Sequence, residues 1–530
     1  MGLRLVATSG TIQAIDPSED SLLPPRPPTM LLLAFVATVA CRTDDPGASG
    51  RIVPDTSLPA PHTGTTPIPV VLSAAARAHG LDLSVDRVPS SSRLVCEAPD
   101  VDGERHEAVD PFATNGRFVL LGLLADTEYH CELLQPGTAH ATADADIAAT
   151  APSQRTPVLA VSTPWSIAEH VPERRSGAYT LFNLADGDSN VEPHQLLLVD
   201  PEGRVRWVHL IADEFPDCDV RYQHDGTILF GGGQGVTPTI LSLEGELLWQ
   251  GPEHDFAQRY HHHAERLDDG TVLAMRHTSE APPTGQGQPG QTWVGFRIER
   301  IAPDGMISWS WTSQRAVDDG VLPIPNPNAT DPWHANSVTV LDDGITYVNL
   351  RQKSWMLAIA PDGEVLWRLG DGGDFELFDA DGTPLGGEHW FHGAHDPELH
   401  PQADGTLRIL YHDNGYARGV QPAYSQLLEL VVDVEARTAT RTWTWTEAGW
   451  YEPIWGDADE LPDGSVLATR GHCGSCPPPS VSEIVEVDRA TGEVDWRLRF
   501  DAGQWGIYRS QRIDGCAVFH HASYCPEENR

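Results

Sequence analysis

The sequence predicts an all-β molecule, a six-bladed β-propeller preceded by a small β-sandwich. Three observations carry that prediction. First, Gly203-x-x-x-Trp207, Gly245-x-x-x-Trp249, Gly305-x-x-x-Trp309, Gly363-x-x-x-Trp367 and Gly492-x-x-x-Trp496 repeat one pattern, and the stretch 432–437 leading to Trp443 is a degenerate sixth copy. In each copy the glycine marks a hairpin turn, and the tryptophan begins the returning strand and packs on the neighbouring sheet. Second, Asp225-Gly226, Asp269-Gly270, Asp343-Gly344, Asp404-Gly405 and Asp463-Gly464 form a second turn series between those copies. Two hairpins per repeat make four strands per unit, the make-up of a propeller blade. Third, no stretch sustains the apolar period of a helix, while Gly and Pro punctuate the chain throughout. The five regular tryptophans are therefore expected at equivalent places in successive blades. The stretch 505–510 is expected to supply a closing strand to the first blade.

Taken in order, the chain opens with an extension, 1–29, and an apolar run, 30–41, that ends in small residues before Cys41. This run is too short to span a bilayer. It resembles a bacterial lipoprotein signal, which implies lipidation of Cys41 and an exported, periplasmic or cell-surface protein. Residues 42–67 are rich in Pro, Thr and Gly and read as a linker. Residues 68–150 read as a β-sandwich, from alternating stretches such as Leu81-Asp82-Leu83-Ser84-Val85 and from strand candidates at 93–96 and 117–121. The stretch 123–131, with Tyr129 and Cys131, resembles the tyrosine corner of fibronectin-III and immunoglobulin-like sandwiches. Residues 157–530 hold the propeller.

Composition narrows the chemistry. Lys plus Arg number 35 and Asp plus Glu 76, so the net charge is 35 − 76 = −41. Such a surface repels nucleic acid and anionic membranes, and any anion site must be locally basic. Beyond Cys41, seven cysteines remain: Cys96, Cys131, Cys218, Cys473, Cys476, Cys516 and Cys525. In an exported protein Cys96 and Cys131 are expected to pair, Cys516 and Cys525 to close a C-terminal loop, and Cys218 to stay free. Cys473-Gly474-Ser475-Cys476 reads as a small disulfide loop or redox pair; no second C-x-x-C follows to complete a metal site.

Three histidine clusters share a phase. Trp390-Phe391-His392-Gly393-Ala394-His395 precedes Asp404-Gly405, Trp333-His334-Ala335-Asn336 precedes Asp343-Gly344, and Tyr260-His261-His262-His263 precedes Asp269-Gly270. His395 and His334 each lie nine positions before their turn aspartate (404 − 395 and 343 − 334). Equal offsets place them at equivalent points of repeated units, so in a propeller they converge on one channel mouth. Gly393 and Ala394 are small and are expected to leave room for a ligand beside His395. On an extended segment, only one of His392 and His395 faces the channel.

At these residues the chain resembles a family. Residues from about 157 to 520 are similar to the bacterial aryl-sulfate sulfotransferases, through His334-Ala335-Asn336-Ser337-Val338, Asn349-Leu350-Arg351, the run 359–369, Ala394-His395-Asp396-Pro397 and Asp413-Asn414-Gly415. The resemblance implies transfer of a sulfuryl group from an aryl sulfate to a phenol, without a nucleotide donor, cofactor or metal. It implies a nucleophile at His395, supported by His334, Arg351 and one histidine of the 261–263 run, for which we take His262. The residue types suit that chemistry. Neutral imidazole is a capable nucleophile near neutral pH, and Arg351 presents a fork of donors to sulfuryl oxygens. His334 and His262 can exchange a proton with the phenolic oxygen. Asn336, His263 and Arg418 are expected at the substrate, with Asn336 orienting His334 or the sulfuryl group.

Other readings meet specific obstacles. Gly231-Gly232-Gly233-Gln234-Gly235 has no helix behind it to make a phosphate loop, and Cys476-Pro477-Pro478-Pro479-Ser480 has Ser where a formylglycine sulfatase needs Arg. Against the family role of Arg351 stands a plain rim salt bridge. Two alternatives of other classes stay open. One is a metal-dependent hydrolase or lyase built on the triple histidine with Asp255 or Asp268. The other is a non-catalytic cell-surface binding propeller, which needs the repeat but not the histidines. The oligomeric state stays open too, a homodimer included.

Overall fold

Alternating apolar and polar residues, cut by turns, make almost every element of the chain a strand. The structure, a computed structural model, describes residues 70–525 apart from 78, 89–90, 114, 137–144, 159–160, 162, 187–193, 212–218, 234, 472–480 and 502–504. The signal-like run, the linker, Cys218 and the C-x-x-C pair lie outside the described residues.

At the N-terminal side, Leu72–Arg77, Gly80–Val85 and Arg117–Leu121 form one sheet. Arg93–Glu97, Arg105–Val109, Glu128–Pro136, Ala145–Thr150 and Gln154–Arg155 form a second. Leu81, Leu83 and Leu120 of the first share one core with Leu94 and Leu133 of the second. Cys96 and Cys131 are register partners and are joined by a disulfide, as expected. The Tyr129 hydroxyl accepts the Leu124 N–H at 3.0 Å, the backbone tie expected of a tyrosine corner.

Among the described residues six sheets follow, antiparallel but for one added strand. The second to fourth are regular four-stranded meanders: Asp219–Tyr222 to Leu247–Gln250, Tyr260–Arg266 to Ile307–Thr312, and Ala335–Val340 to Val365–Leu369. The fifth runs from His395–Pro401 to Thr438–Trp445, with Glu376–Asp379 added in parallel at its outer edge. Both chain ends of this region contribute to closure. Trp505–Gly506 and Ser510–Ile513 pair with Tyr179–Asp186 of the first sheet, while Trp165–His170 pairs with Val494–Phe500 of the sixth. The first of these joins was expected from sequence; the second was not.

The repeated tryptophans explain how the sheets join. Trp207, Trp249, Trp309, Trp367 and Trp496 are each the third residue of the fourth strand of their sheet, directly after a β-bulge. Trp443 of the degenerate copy also follows a bulge. The indole N–H of Trp207 donates to Leu243 O at 2.7 Å, that of Trp249 to Pro303 O at 3.1 Å, and that of Trp309 to Pro361 O at 3.0 Å. Trp443 donates to Arg489 O at 3.1 Å. Trp496 of the sixth sheet donates to Pro201 O of the first at 2.9 Å, which closes the ring. The first strands of neighbouring sheets pack on one another around the axis, and the core lies between the sheets in a chain of apolar clusters. Beside the axis lies a cavity of about 250 Å³ lined by Asp219, Arg221, Asp396, Glu398, Asp457, Asp459 and Arg509.

Candidate active site

The innermost strands of the third, fourth and fifth sheets carry histidines at or just before their starts, and all three are bulged there. The register jumps between Tyr260 and Ala264, between Ala335 and Ser337, and between His395 and Glu398. The backbone takes left-handed φ at non-glycine residues, +59° at His262, +44° at His334 and +32° at Asp396. Each such residue costs ~1–3 kcal/mol and persists where the surrounding fold enforces it. In a regular strand, consecutive side chains point to opposite faces. Here the bulge brings the rings of His261 and His262 to 3.7 Å between centroids. The Gly231-Gly232-Gly233 run seats this bulge. A Cβ on Gly232, at φ +76°, would come within 2.6 Å of the His263 nitrogen, so the glycines serve close backbone packing.

Two polar chains meet at the centre. In the first, His262 Nε2 lies 3.0 Å from His334 Nε2, and His334 Nδ1 lies 2.6 Å from Asp331 Oδ2. An ionised carboxylate only accepts, so His334 carries its proton on Nδ1 and presents Nε2 as acceptor to the N–H of His262. Burial alone would raise the Asp331 carboxyl; its attraction to His334 and their hydrogen bond bring it below its ordinary value. Asp255, one of the two aspartates named for the metal-dependent alternative, caps the turn Phe256–Gln258. The carboxylate that meets the His262–His334 pair is Asp331.

In the second chain, Asn414 donates through Nδ2 to Glu452 O at 2.8 Å and Trp455 O at 2.7 Å. Its Oδ1 therefore faces His395 Nδ1, at 2.7 Å, as an acceptor. That fixes the tautomer: Nδ1 carries the proton and Nε2 keeps its lone pair. His395 Nε2 makes no hydrogen bond among the described residues. His395 is buried, and burial, then the Arg351 charge, push its pKa well below the ordinary value, against the opposing Asn414 bond. His392 turns the other way, with Nε2 3.1 Å from Gly387 O.

The remaining candidates divide. Arg351 is buried; Nη2 donates to Pro453 O at 3.0 Å and the guanidinium lies 4.9 Å over the Tyr416 ring. It has no carboxylate partner among the described residues, so the rim salt bridge is not what holds it. Asn336 does not reach His334. It donates to Ala394 O at 2.9 Å and accepts from Asn349 Nδ2 at 2.7 Å, so it braces the backbone before His395. His263 Nδ1 lies 3.0 Å from Arg509 Nη1, with Asp219 at 3.7 Å and Glu265 at 3.6 Å. It thus joins the acidic axial groups rather than the His262–His334 pair. Arg418 pairs with Asp413 and lies 4.6 Å over the Tyr424 ring. Gly393, at φ +65°, makes room for Tyr416 rather than for a ligand, since a Cβ there would meet the Tyr416 Cβ at 2.8 Å.

Sequence reasoning missed Asp331, Tyr508 and Arg509, and gave Asn414 no role. Tyr508 stacks on His262 at 5.4 Å and meets His395 edge-on at 6.4 Å. Arg509 donates to Asp219 at 2.8 Å and to Asn336 O at 2.9 Å. Asp331 sits in an irregular connection with no periodic signal. Asn414 lies in a motif quoted for resemblance, where spacing does not reveal its contact with His395.

The family model described as Arylsulfotransferase (ASST) matches residues 168–509, more than half of the chain. No curated protein sequence matches. Among solved structures, a protein of unknown function from Bacteroides caccae is similar at 13% identity, over 63% of this chain and 100% of that one, with a TM-score of 0.40. The periplasmic gluconolactonase of Pseudomonas aeruginosa is similar at 14% identity, over 80% of this chain and 99% of that one, with a TM-score of 0.34. Neither likeness is close enough to carry an argument about activity.

Proposed function

Because the chain belongs to the arylsulfotransferase family, we propose that it moves a sulfuryl group from a phenolic sulfate ester to a phenol acceptor through a sulfohistidine at His395. The observation that carries this reading is the Asn414 bond to His395 Nδ1 at 2.7 Å, which leaves the Nε2 lone pair as the nucleophile. In the first half-reaction Nε2 attacks sulfur, an N–S bond forms as the S–O(aryl) bond breaks, and the electron pair leaves on the phenolate oxygen. That oxygen accepts a hydrogen bond from the His262 N–H and leaves as the phenolate; in the second half-reaction the His334 Nε2 lone pair, backed by Asp331, accepts the proton of the acceptor phenol and passes it to water. Arg351, without a carboxylate among the described residues to neutralise it, supplies fixed positive charge as the sulfuryl oxygens redistribute theirs. Tyr508 offers an aromatic wall beside His262 and His395. The two disulfides suit an exported protein; periplasmic or surface anchoring through a lipid on Cys41 belongs to the same proposal.

A covalent intermediate predicts ping-pong kinetics, with parallel double-reciprocal lines for donor and acceptor. Incubation with p-nitrophenyl sulfate alone is expected to add one sulfuryl group, seen in an intact-mass spectrum quenched at high pH and mapped to the His395 peptide. His395→Asn should abolish that mass and His392→Asn should not. Intersecting lines with no mass gain would mean direct transfer in a ternary complex.

A further inference from the structure

We propose that His261, His262 and His334 form a binding site for one divalent transition-metal ion of the zinc class, and that a bound ion blocks the phenol-facing histidine pair. The blocking half rests on the proposed sulfuryl transfer; the binding half does not. The three histidines are buried, and one ligand atom from each lies within 4.8 Å of the other two. His262 Nε2 and His334 Nε2 are 3.0 Å apart. Tetrahedral zinc with bonds of ~2.0–2.1 Å spaces its nitrogens by about 3.3–3.4 Å, so the pair needs to open by only a few tenths of an ångström.

Two further observations point to an ion. His261 Nε2 is buried with no hydrogen-bond partner among the described residues. Buried polar atoms are normally satisfied, and a metal ion would satisfy this one. Behind His334, Asp331 holds Nδ1 at 2.6 Å. This is the carboxylate–histidine backing that orients metal-bound imidazole through its far nitrogen. Three imidazoles leave one tetrahedral position for water or an anion. Coordination through Nε2 requires the His262 proton to move to Nδ1, with no net proton change. That move breaks the His262–His334 hydrogen bond and uses the lone pair of His334, so ion and phenolic oxygen exclude each other. The cluster of Glu104, His106 and His521 is a poorer site, because Arg206 already occupies both Glu104 oxygens at 2.7 and 2.9 Å.

The test is titration of the full chain, freed of metal with EDTA, with Co²⁺, followed by the visible band of four-coordinate cobalt and by calorimetry. One Co²⁺ per chain is expected. His261→Gln should raise the Kd at least about tenfold while cobalt-free turnover stays near the wild-type rate, and Asp331→Asn should weaken binding by roughly 10–100-fold. Melting in EDTA shows whether each variant folds, and His261→Asn replaces His261→Gln if it does not. Wild-type turnover should fall as the band fills. Absence of the band at millimolar Co²⁺, or a band untouched in a folded His261 variant, overturns the site. A filled site with undiminished turnover overturns the blocking half. A protein inactive on every aryl sulfate would count against the proposed function, while the cobalt titration would still decide the site.

Discussion

The amide of Asn414 selects the tautomer of His395, and it can do so because two backbone carbonyls hold its own orientation. Asn414→Ala is expected to lower kcat on the order of 10²-fold or more, as when an orienting group is lost from a catalytic imidazole, with donor KM little changed. The pH profile follows from the same ring. His395 has its pKa pushed well below 6.5 by burial first, so it stays neutral as pH falls through 6.5. The acid limb of kcat/KM for the donor should therefore lie below that value; a limb centred at 6.5 would count against His395 as the nucleophile. Arg351→Ala should cost on the order of 10²-fold or more in transfer with little loss of stability, and Arg351→Lys should recover little, since a point charge does not replace a fork. Normal turnover in a folded Arg351→Ala protein would remove it from the site.

At the scale of the element, strand, turn and repeat were legible because their signals are local. A Gly-to-Trp spacing states where a hairpin turns and where the indole lands, and the five regular copies occupy one structural position. The site was legible in its histidines and opaque in their directions. Nothing in the sequence announces that the first strands of three sheets bulge at their histidines, so alternation does not say which way His261, His262 and His263 point. Indole bonding between sheets gives a stability prediction. Trp496 donates to Pro201 O across the closing junction, whereas the Trp367 indole makes no hydrogen bond among the described residues. Both are buried. Trp496→Phe should therefore destabilise by about 1 kcal/mol more than Trp367→Phe, the net value of one hydrogen bond. Equal losses in chemical denaturation would deny the closing bond that role.

Across the whole molecule, a buried polar hub joins the N-terminal sheets to the ring and to the C-terminal hook. Glu104 binds Arg206 bidentately, accepts from Tyr129 at 2.6 Å, and lies 3.1 Å from His106 and 3.2 Å from His521. The Cys516–Cys525 disulfide closes the hook that carries His521, as the sequence suggested. Burial alone would raise the Glu104 carboxyl, yet hydrogen bonds from His106, His521 and Arg206 hold it far below the usual range. Its stabilisation is therefore present above 4.5 and is lost progressively as pH falls below that value. Burial lowers His106 to about 4 from 6.5, against the pull of Glu104. Between those values the unfolded chain binds more protons, so stability already declines as pH drops from 6.5 to about 4. Denaturation midpoints should fall across that window, and His106→Gln should flatten the upper part. Glu104→Gln should cost about 1.5–3 kcal/mol by weakening the charged hydrogen bonds to Arg206, which keeps Asp200 at 2.8 Å; a loss below about 1 kcal/mol would show the hub to be dispensable.

By itself the sequence determined the all-β class, the repeated hairpins, the two disulfide pairings inside the described residues, the tyrosine-corner bond and the histidines that gather at the axis. Each rests on a local rule: turn chemistry, strand alternation or cysteine spacing. Only the tertiary structure decided which ring nitrogens face which partners. Asp331, Asn414, Tyr508 and Arg509 reach the histidines from irregular loops and from a C-terminal segment that enters the first sheet. The contacts that set tautomer and charge at the site thus join residues far apart in sequence, or on connections without periodicity, and only closure of the ring brings them together.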